Sequence, residues 1–268
     1  MVAMPFRWSK RVVKGRLICN VARPLTKRLG LEVIDVHKRY AQDGLYTVHN
    51  DSFRTEPAFR KAYARGIQAS AGFDPGIEWR AHVALWAGRT ALAAEGDYVE
   101  CGVNAGFMSS AIMQDLDWNS IGRKFYLIDT FSGPVLAQYS QEEVAKDRRA
   151  IAERTIAEGG YVTDLERIRA NFAEWPDAIV VQGAVPEVLG KMDFGKVAFL
   201  HIDMNCALPE KAALEFFWEK LSPRAVVLFD DFAYAGYEAQ REALAQVARA
   251  RGHEILSMPT GQGLLIRR

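Results

Sequence analysis

The segment Val99-Glu100-Cys101-Gly102-Val103-Asn104-Ala105-Gly106 is an apolar run that breaks into a turn with two glycines, after which a helical pattern begins near Phe107. Glycine is needed where a ligand's charged or bulky part approaches the backbone, and the free N–H groups of a helix N-terminus suit an anion. The G-x-x-x-G spacing alone is a weak signal. It lacks the middle glycine of the G-x-G-x-x-G dinucleotide fingerprint, which counts against a nicotinamide cofactor.

The chain changes character around this turn. Its first 95 residues read as helices and loops, with helices predicted from Glu56-Pro57 through Tyr63 and from Ile77 to Ala94. From Asp97 onward, short β-rich apolar runs alternate with helices: Tyr98–Val103, Phe125–Asp129, Ala178–Gln182, Val197–Asp203, Ala225–Asp230, His253–Met258 and Leu264–Arg267. The first five are apolar on both faces, as buried parallel strands joined by helices are. The last two are separated only by a turn holding Pro259 and Gly261, which leaves a hairpin as the connection. One helix is well marked, with Pro209 in its first turn, Leu208, Ala212, Phe216 and Phe217 along one face, and Ser222-Pro223 as its stop. The expected fold is α/β: a doubly wound, mostly parallel seven-stranded sheet with a terminal antiparallel hairpin over residues 76–268, behind a helical, basic N-terminal extension over 1–75. The connection 131–177 is far longer than the loops usual in α/β units, and residues 140–158 and 162–173 in it read as helices. A lid over the strand ends and a peripheral packing or dimerisation element are both open readings.

Composition narrows the class. Apolar residues are 49% and charged residues 25%, which is ordinary for a chain with a full-size core. The net charge of +1 hides an asymmetry, since residues 1–31 carry eight basic side chains and no acidic one. Such an arm could touch an anionic membrane surface weakly; a solvated or subunit-packing helix in a homo-oligomer is the favoured reading, and no nucleic-acid partner is expected. Cys19, Cys101 and Cys206 form no C-x-x-C pair, the five histidines show no H-x-x-x-H spacing, and no apolar run approaches a membrane span. The expectation is a cytoplasmic protein with reduced thiols and no zinc site.

Two acidic clusters carry the chemistry. Asp129 ends the run Tyr126-Leu127-Ile128-Asp129, where a carboxylate can accept hydrogen bonds from both hydroxyls of a ribose, and Glu100 offers a negative charge to an ammonium or sulfonium ligand. Helix capping is the plainer role for both. Asp203 in His201-Ile202-Asp203-Met204-Asn205 and the pair Asp230-Asp231 each follow an apolar strand. Three carboxylates at one sheet edge, without a basic partner in either motif, repel unless a cation lies among them, and an all-oxygen set suits Mg²⁺. A solvated acidic rim is the alternative.

These motifs, in this order, resemble class I S-adenosylmethionine-dependent methyltransferases, and among them the macrocin O-methyltransferase-like family, which modifies sugar hydroxyls on natural products. The resemblance covers roughly residues 76–268. It implies a cofactor site of Glu100, Gly102, Val103, Asn104, Gly106, Ser109, Asp129, Thr130, Gly183 and Ala184, with the last two near the adenine. It also implies Mg²⁺ on Asp203, Asp230 and Asp231, with Asp203 and Asn205 at the acceptor hydroxyl. The acceptor would be a small hydroxylated molecule bearing a saccharide. Many relatives read Asp-Gly-Asp where this chain has Asp203-Met204-Asn205, and some place a histidine where Phe232-Ala233-Tyr234 stands. The base is therefore not identified; His82 and Tyr234 are the residues to weigh. A nucleoside-binding module without turnover is the alternative that Asn205 motivates, and a nicotinamide oxidoreductase is a weaker one.

Overall fold

A computed structural model describes residues 40–268. The basic segment 1–31 and Cys19 lie outside the described residues. Within residues 40–51, Tyr40–Gln42 (β1) pairs antiparallel with Leu45–Thr47 (β2). Asp43 and Gly44 between them have φ of 51° and 70°, the left-handed pair that a tight hairpin turn requires. The expectation of helices and loops alone is corrected here: Asp43-Gly44 turns a short antiparallel hairpin.

A second compact unit spans Ser52–Arg268. Its helices are α1 (Pro57–Ala69), α2 (Glu78–Ala91), α3 (Phe107–Leu116), α4 (Gln141–Ala145), α5 (Arg148–Ala157), α6 (Leu165–Phe172), α7 (Ala207–Phe217) and α8 (Glu238–Arg249). Its strands are β3 (Asp97–Cys101), β4 (Phe125–Asp129), β5 (Ala178–Gln182), β6 (Val197–Ile202), β7 (Leu221–Phe229), β8 (Leu256–Ser257) and β9 (Gly263–Ile266). They form one seven-stranded sheet in the order β5-β4-β3-β6-β7-β9-β8. The first five run parallel; β9 pairs antiparallel with both β7 and β8, so the terminal hairpin is as expected. Strand order reverses between β3 and β6, and in such sheets the crevice outside the strand ends at that point is where ligands bind.

The core explains the strands. All six residues of β6 are buried, as a central parallel strand covered on both faces demands. Tyr98, Trp118, Phe125 and Phe199 pack in ring contacts with centroids 4.9–6.5 Å apart, and the Tyr98 hydroxyl donates to the Gly88 carbonyl at 2.6 Å, joining β3 to α2. At the carboxyl edge a row of backbone bonds links the strand ends. Gly183 N donates to Asp129 O (2.9 Å), Gly102 N to Ile128 O (2.8 Å), Asp203 N to Cys101 O (2.8 Å) and Asp230 N to Ile202 O (3.0 Å).

Two local expectations are corrected. The buried face of α7 is Pro209, Glu210, Ala213, Leu214 and Phe217, whereas Leu208 is exposed. Ser222-Pro223 does not stop that helix; a 3₁₀ turn at Trp218–Lys220 does, and both residues lie in β7. Pairing there jumps from Val197↔Leu221 to Phe199↔Val226, so Pro223 and Arg224 (φ 71°) occupy a stretch that makes no ladder bonds to β6.

The 131–177 connection folds as three helices, because the first predicted one breaks at Asp147, φ 58°. It is pinned by Glu143, a buried carboxylate serving two helix starts. Its Oε2 accepts from Ser140 N (2.8 Å), closing a capping box on α4, and its Oε1 accepts from Ala207 N (2.8 Å) at the start of α7. Arg65 of α1 ties the far end, donating to Asn171 Oδ1 and Glu174 Oε1, both at 2.9 Å. Glu143→Ala, which strips acceptors from both starts, is expected to cost about 2 kcal/mol in urea unfolding. A variant within about 0.5 kcal/mol of the parent would show that Glu143 does not pin the insertion.

Candidate active site

The glycine turn after β3 is held by the acid after β4. Val103 N and Asn104 N donate to Asp129 Oδ2 at 2.7 and 2.9 Å, and Phe131 N donates to Oδ1 at 2.7 Å. Asp129 therefore shapes the turn as well as facing the space beside it. Gly102 (φ 95°) lies so close to the next strand end that a Cβ would sit 1.7 Å from the Asp203 carbonyl oxygen. Gly106 (φ 81°) caps α3, and a Cβ there would meet the Phe172 ring of α6 at 2.5 Å. Both glycines are demanded by the protein's own backbone and packing, a reason the sequence does not display.

Two cavities open at the strand ends. The first is lined by Gly102, Asn104, Asp129, Thr130, Gly183 and Ala184, together with Asp203 and Asn205, and by Gln138 and Tyr161 of the insertion. The second is lined by Glu100, Gly102, Val103, Asn104, Asp203 and Asp230, with Arg80 of α2, Phe107 of α3 and Gly159-Gly160 of the insertion. They share Gly102, Asn104 and Asp203. Of the cofactor and metal residues singled out in the sequence, Gly106, Ser109 and Asp231 line neither cavity. Ser109 is fully buried in the first turn of α3, its hydroxyl without a hydrogen-bond partner.

The acids do converge, and with them a cation that sequence reasoning missed. Arg80 contacts Asp230 Oδ2 through Nη2 and Oδ1 through Nε (3.3 Å), and its Nη2 lies 3.4 Å from Asp231 Oδ1. Gln262 Nε2 donates to Asp230 Oδ1 at 3.0 Å. No arginine or lysine stands in either acidic motif; Arg80 arrives from 150 residues upstream through tertiary packing. Burial first, and then the Asp231 charge, push Asp203 up to about 7. Asn205 (φ 58°) donates from Nδ2 to Asp203 Oδ1 at 3.2 Å and accepts the Tyr237 hydroxyl at 2.8 Å on Oδ1, an amide orientation read from these partners. Among the described residues, the donor atoms that approach one another within 4.8 Å as a metal site would need are those of His201, Asp203 and Asp230. His82 is elsewhere: it stacks on Phe53 at 4.0 Å, lines neither cavity, and is lowered by burial and then by Arg89. Tyr234 lies against Arg80, 5.4 Å from ring centre to guanidinium.

Glu210 of α7 is the other residue the sequence left unread. Buried, it accepts from Met204 N (3.1 Å), Asn205 N (3.0 Å) and Gln240 Nε2 (2.9 Å), so it shapes the loop after β6. Burial pushes it up to about 8 from 4.5, against the lowering effect of Gln240. A folded value above the unfolded one means the native state keeps a proton that the unfolded chain has lost between those two pH values. The stability this group contributes therefore falls as pH rises from 4.5 through about 8. Glu210→Gln, which cannot ionise, is expected to flatten that fall and to exceed the parent in stability at pH ~9 in urea unfolding. Parallel stability–pH curves for the two proteins would contradict a protonated Glu210.

A family model described as a methyltransferase domain matches residues 99–232, half of the chain. Among solved structures, the chain is similar to the O-methyltransferase NovP, with TM-score 0.61 and 15% identity over 81% of this chain and 99% of that one. It is also similar to the calicheamicin methyltransferase CalS11, with TM-score 0.54 and 16% identity over 82% of this chain and 94% of that one. An apo structure of CalS11, described as a TDP-rhamnose 3′-O-methyltransferase, gives TM-score 0.52 at 15% identity, covering 82% of this chain and 96% of that one. At such identities the likeness is one of fold. No curated protein sequence matches the chain. The family match begins at the glycine turn and runs through both acidic motifs, over a sheet of the same fold: the chain belongs to the methyltransferase domain family and is a class I S-adenosylmethionine-dependent methyltransferase.

Proposed function

We propose that this methyltransferase moves the sulfonium methyl of S-adenosylmethionine onto a hydroxyl oxygen of a sugar or glycosylated metabolite, with a divalent cation, Mg²⁺ or a similar ion, at the acceptor. The observation that carries the reading is the junction of the two cavities at Gly102, Asn104 and Asp203. The first cavity suits a nucleoside, with Asp129 and Thr130 toward the ribose and Gly183-Ala184 toward the base. The second suits the amino-acid end of the cofactor: Glu100 lines it, and Glu100 Oε2 is buried without a hydrogen-bond partner, ready for an ammonium group. Held this way, the cofactor would bring its methyl to the junction, where Asp203 lines both cavities. NovP is described as an O-methyltransferase and CalS11 as one acting on TDP-rhamnose, and these descriptions motivate the oxygen and the sugar.

The residues fit a divalent ion. His201 Nε2 is a buried nitrogen with no partner, and Asp203 and Asp230 bring carboxylate oxygens near it. Asp230 is shared, since Arg80 and Gln262 hold it here, and Asp231 stays beside Arg80. Such an ion supplies Lewis acidity that lowers the pKa of a bound hydroxyl. Asn205 cannot take up a proton near neutral pH; it steadies Asp203 and is itself steadied by Tyr237. The insertion lines both cavities and acts as a lid whose Gly159-Gly160 turn lets it open.

Asp129→Ala is expected to weaken S-adenosylhomocysteine binding by about tenfold to a hundredfold in calorimetry, as loss of charge-assisted hydrogen bonds does. Unchanged affinity would remove Asp129 from the cofactor site. Labelled-methyl transfer to a panel of sugar-bearing hydroxyl compounds should succeed where amine and thiol analogues fail, and the reverse preference would overturn the oxygen assignment. Cofactor and acceptor together should slow proteolysis within 131–177. Equal cleavage with and without them would make the insertion a static packing element.

A further inference from the structure

Glu100 and His201 are direct neighbours in the register of β3 against β6, so the sheet itself sets their contact. His201 Nδ1 lies 2.8 Å from Glu100 Oε1, and both side chains are buried. A carboxylate acceptor at Nδ1 places the ring proton there and leaves the lone pair on Nε2. That Nε2 is buried, has no hydrogen-bond partner, and faces the carboxylates: Asp230 Oδ1 is 3.8 Å away, beyond hydrogen-bond distance. The ligating atoms of His201, Asp203 and Asp230 all lie within 4.8 Å of one another.

We propose that His201, oriented by Glu100, is a nitrogen ligand of the cation site it forms with Asp203 and Asp230, and that the site therefore selects Mn²⁺, Fe²⁺ or Co²⁺ over Mg²⁺. The inference rests on the reading that a divalent ion binds here, and it alters the ligand set drawn from the sequence, in which every donor was an oxygen. An imidazole nitrogen suits the later divalent ions, whereas Mg²⁺ takes oxygen and gives up its water reluctantly. A carboxylate behind the ring is the partner that fixes tautomer and direction in histidine–metal sites, so Glu100 is a positioning residue for His201.

The test uses the full-length protein, stripped with chelator and titrated with MnCl₂ or MgCl₂ in the absence of cofactor and acceptor. Mn²⁺ is expected to bind at least about tenfold more tightly than Mg²⁺, and pulsed electron paramagnetic resonance of the Mn²⁺ form should show nitrogen modulation from one imidazole. The His201→Ala variant should lose that modulation and the preference; because the spectrum of the parent protein decides the matter alone, a variant that does not fold leaves the test intact. Mn²⁺ binding without nitrogen coupling and without preference would overturn the role of His201 while sparing the cation site. If neither ion binds, the cation reading fails, and this inference with it.

Discussion

The row of backbone hydrogen bonds along the carboxyl edge of the sheet is the constraint on which the site depends. Each residue that leaves a strand, Gly183, Gly102, Asp203 and Asp230, donates its N–H to the neighbouring strand before the chain turns away. The four exits are thereby set side by side at strand spacing, and no loop is free to choose its own position. Between the middle pair, β3 and β6, the approach is so close that Gly102 has no room for a side chain against Asp203. The glycine turn after β3 and the loop after β6 that carries Asp203 are in contact through their backbones. A substitution at Gly102 would therefore displace both segments together.

Packing acids onto that edge has an electrostatic consequence. Glu100, Asp203, Glu210, Asp230 and Asp231 are buried or half-buried in one region, and water screens them poorly. The structure answers in three ways. Arg80 brings a guanidinium to Asp230 and Asp231. Glu210 is pushed up to about 8 and Asp203 to about 7, so both carry less negative charge near neutrality than free carboxylates would. Glu100 is partnered by His201. What remains unpartnered, Glu100 Oε2 and His201 Nε2, are the atoms for which an ammonium and a metal ion would be complementary ligands.

How far the sequence could be read follows from the range of each interaction. Strands and their order of type were legible because a buried parallel strand is apolar on both faces, and the hairpin because Pro259 and Gly261 leave no room for a crossover. Asp129 and Asp203 were legible because strand ends point one way in a doubly wound sheet. Arg80 was not: its partners lie 150 residues downstream, and a lone arginine in a helix carries no mark of them. Neither was the Glu100–His201 pair, which depends on the register of two strands about a hundred residues apart. Pro223 was misread for a related reason, since only the pairing of β7 with β6 reveals the irregular stretch that tolerates it. The Asp43-Gly44 hairpin is different, because its signal, a two-residue Asp-Gly turn, is local and stands in the sequence itself.

The most direct test of the account is a crystal structure of the protein with S-adenosylhomocysteine. The account predicts adenosine in the cavity lined by Asp129 and Gly183, the amino-acid end reaching Glu100, and the sulfur at the Gly102–Asp203 junction. A nucleoside lodged in the second cavity, or one whose sulfur points away from Asp203, would contradict it.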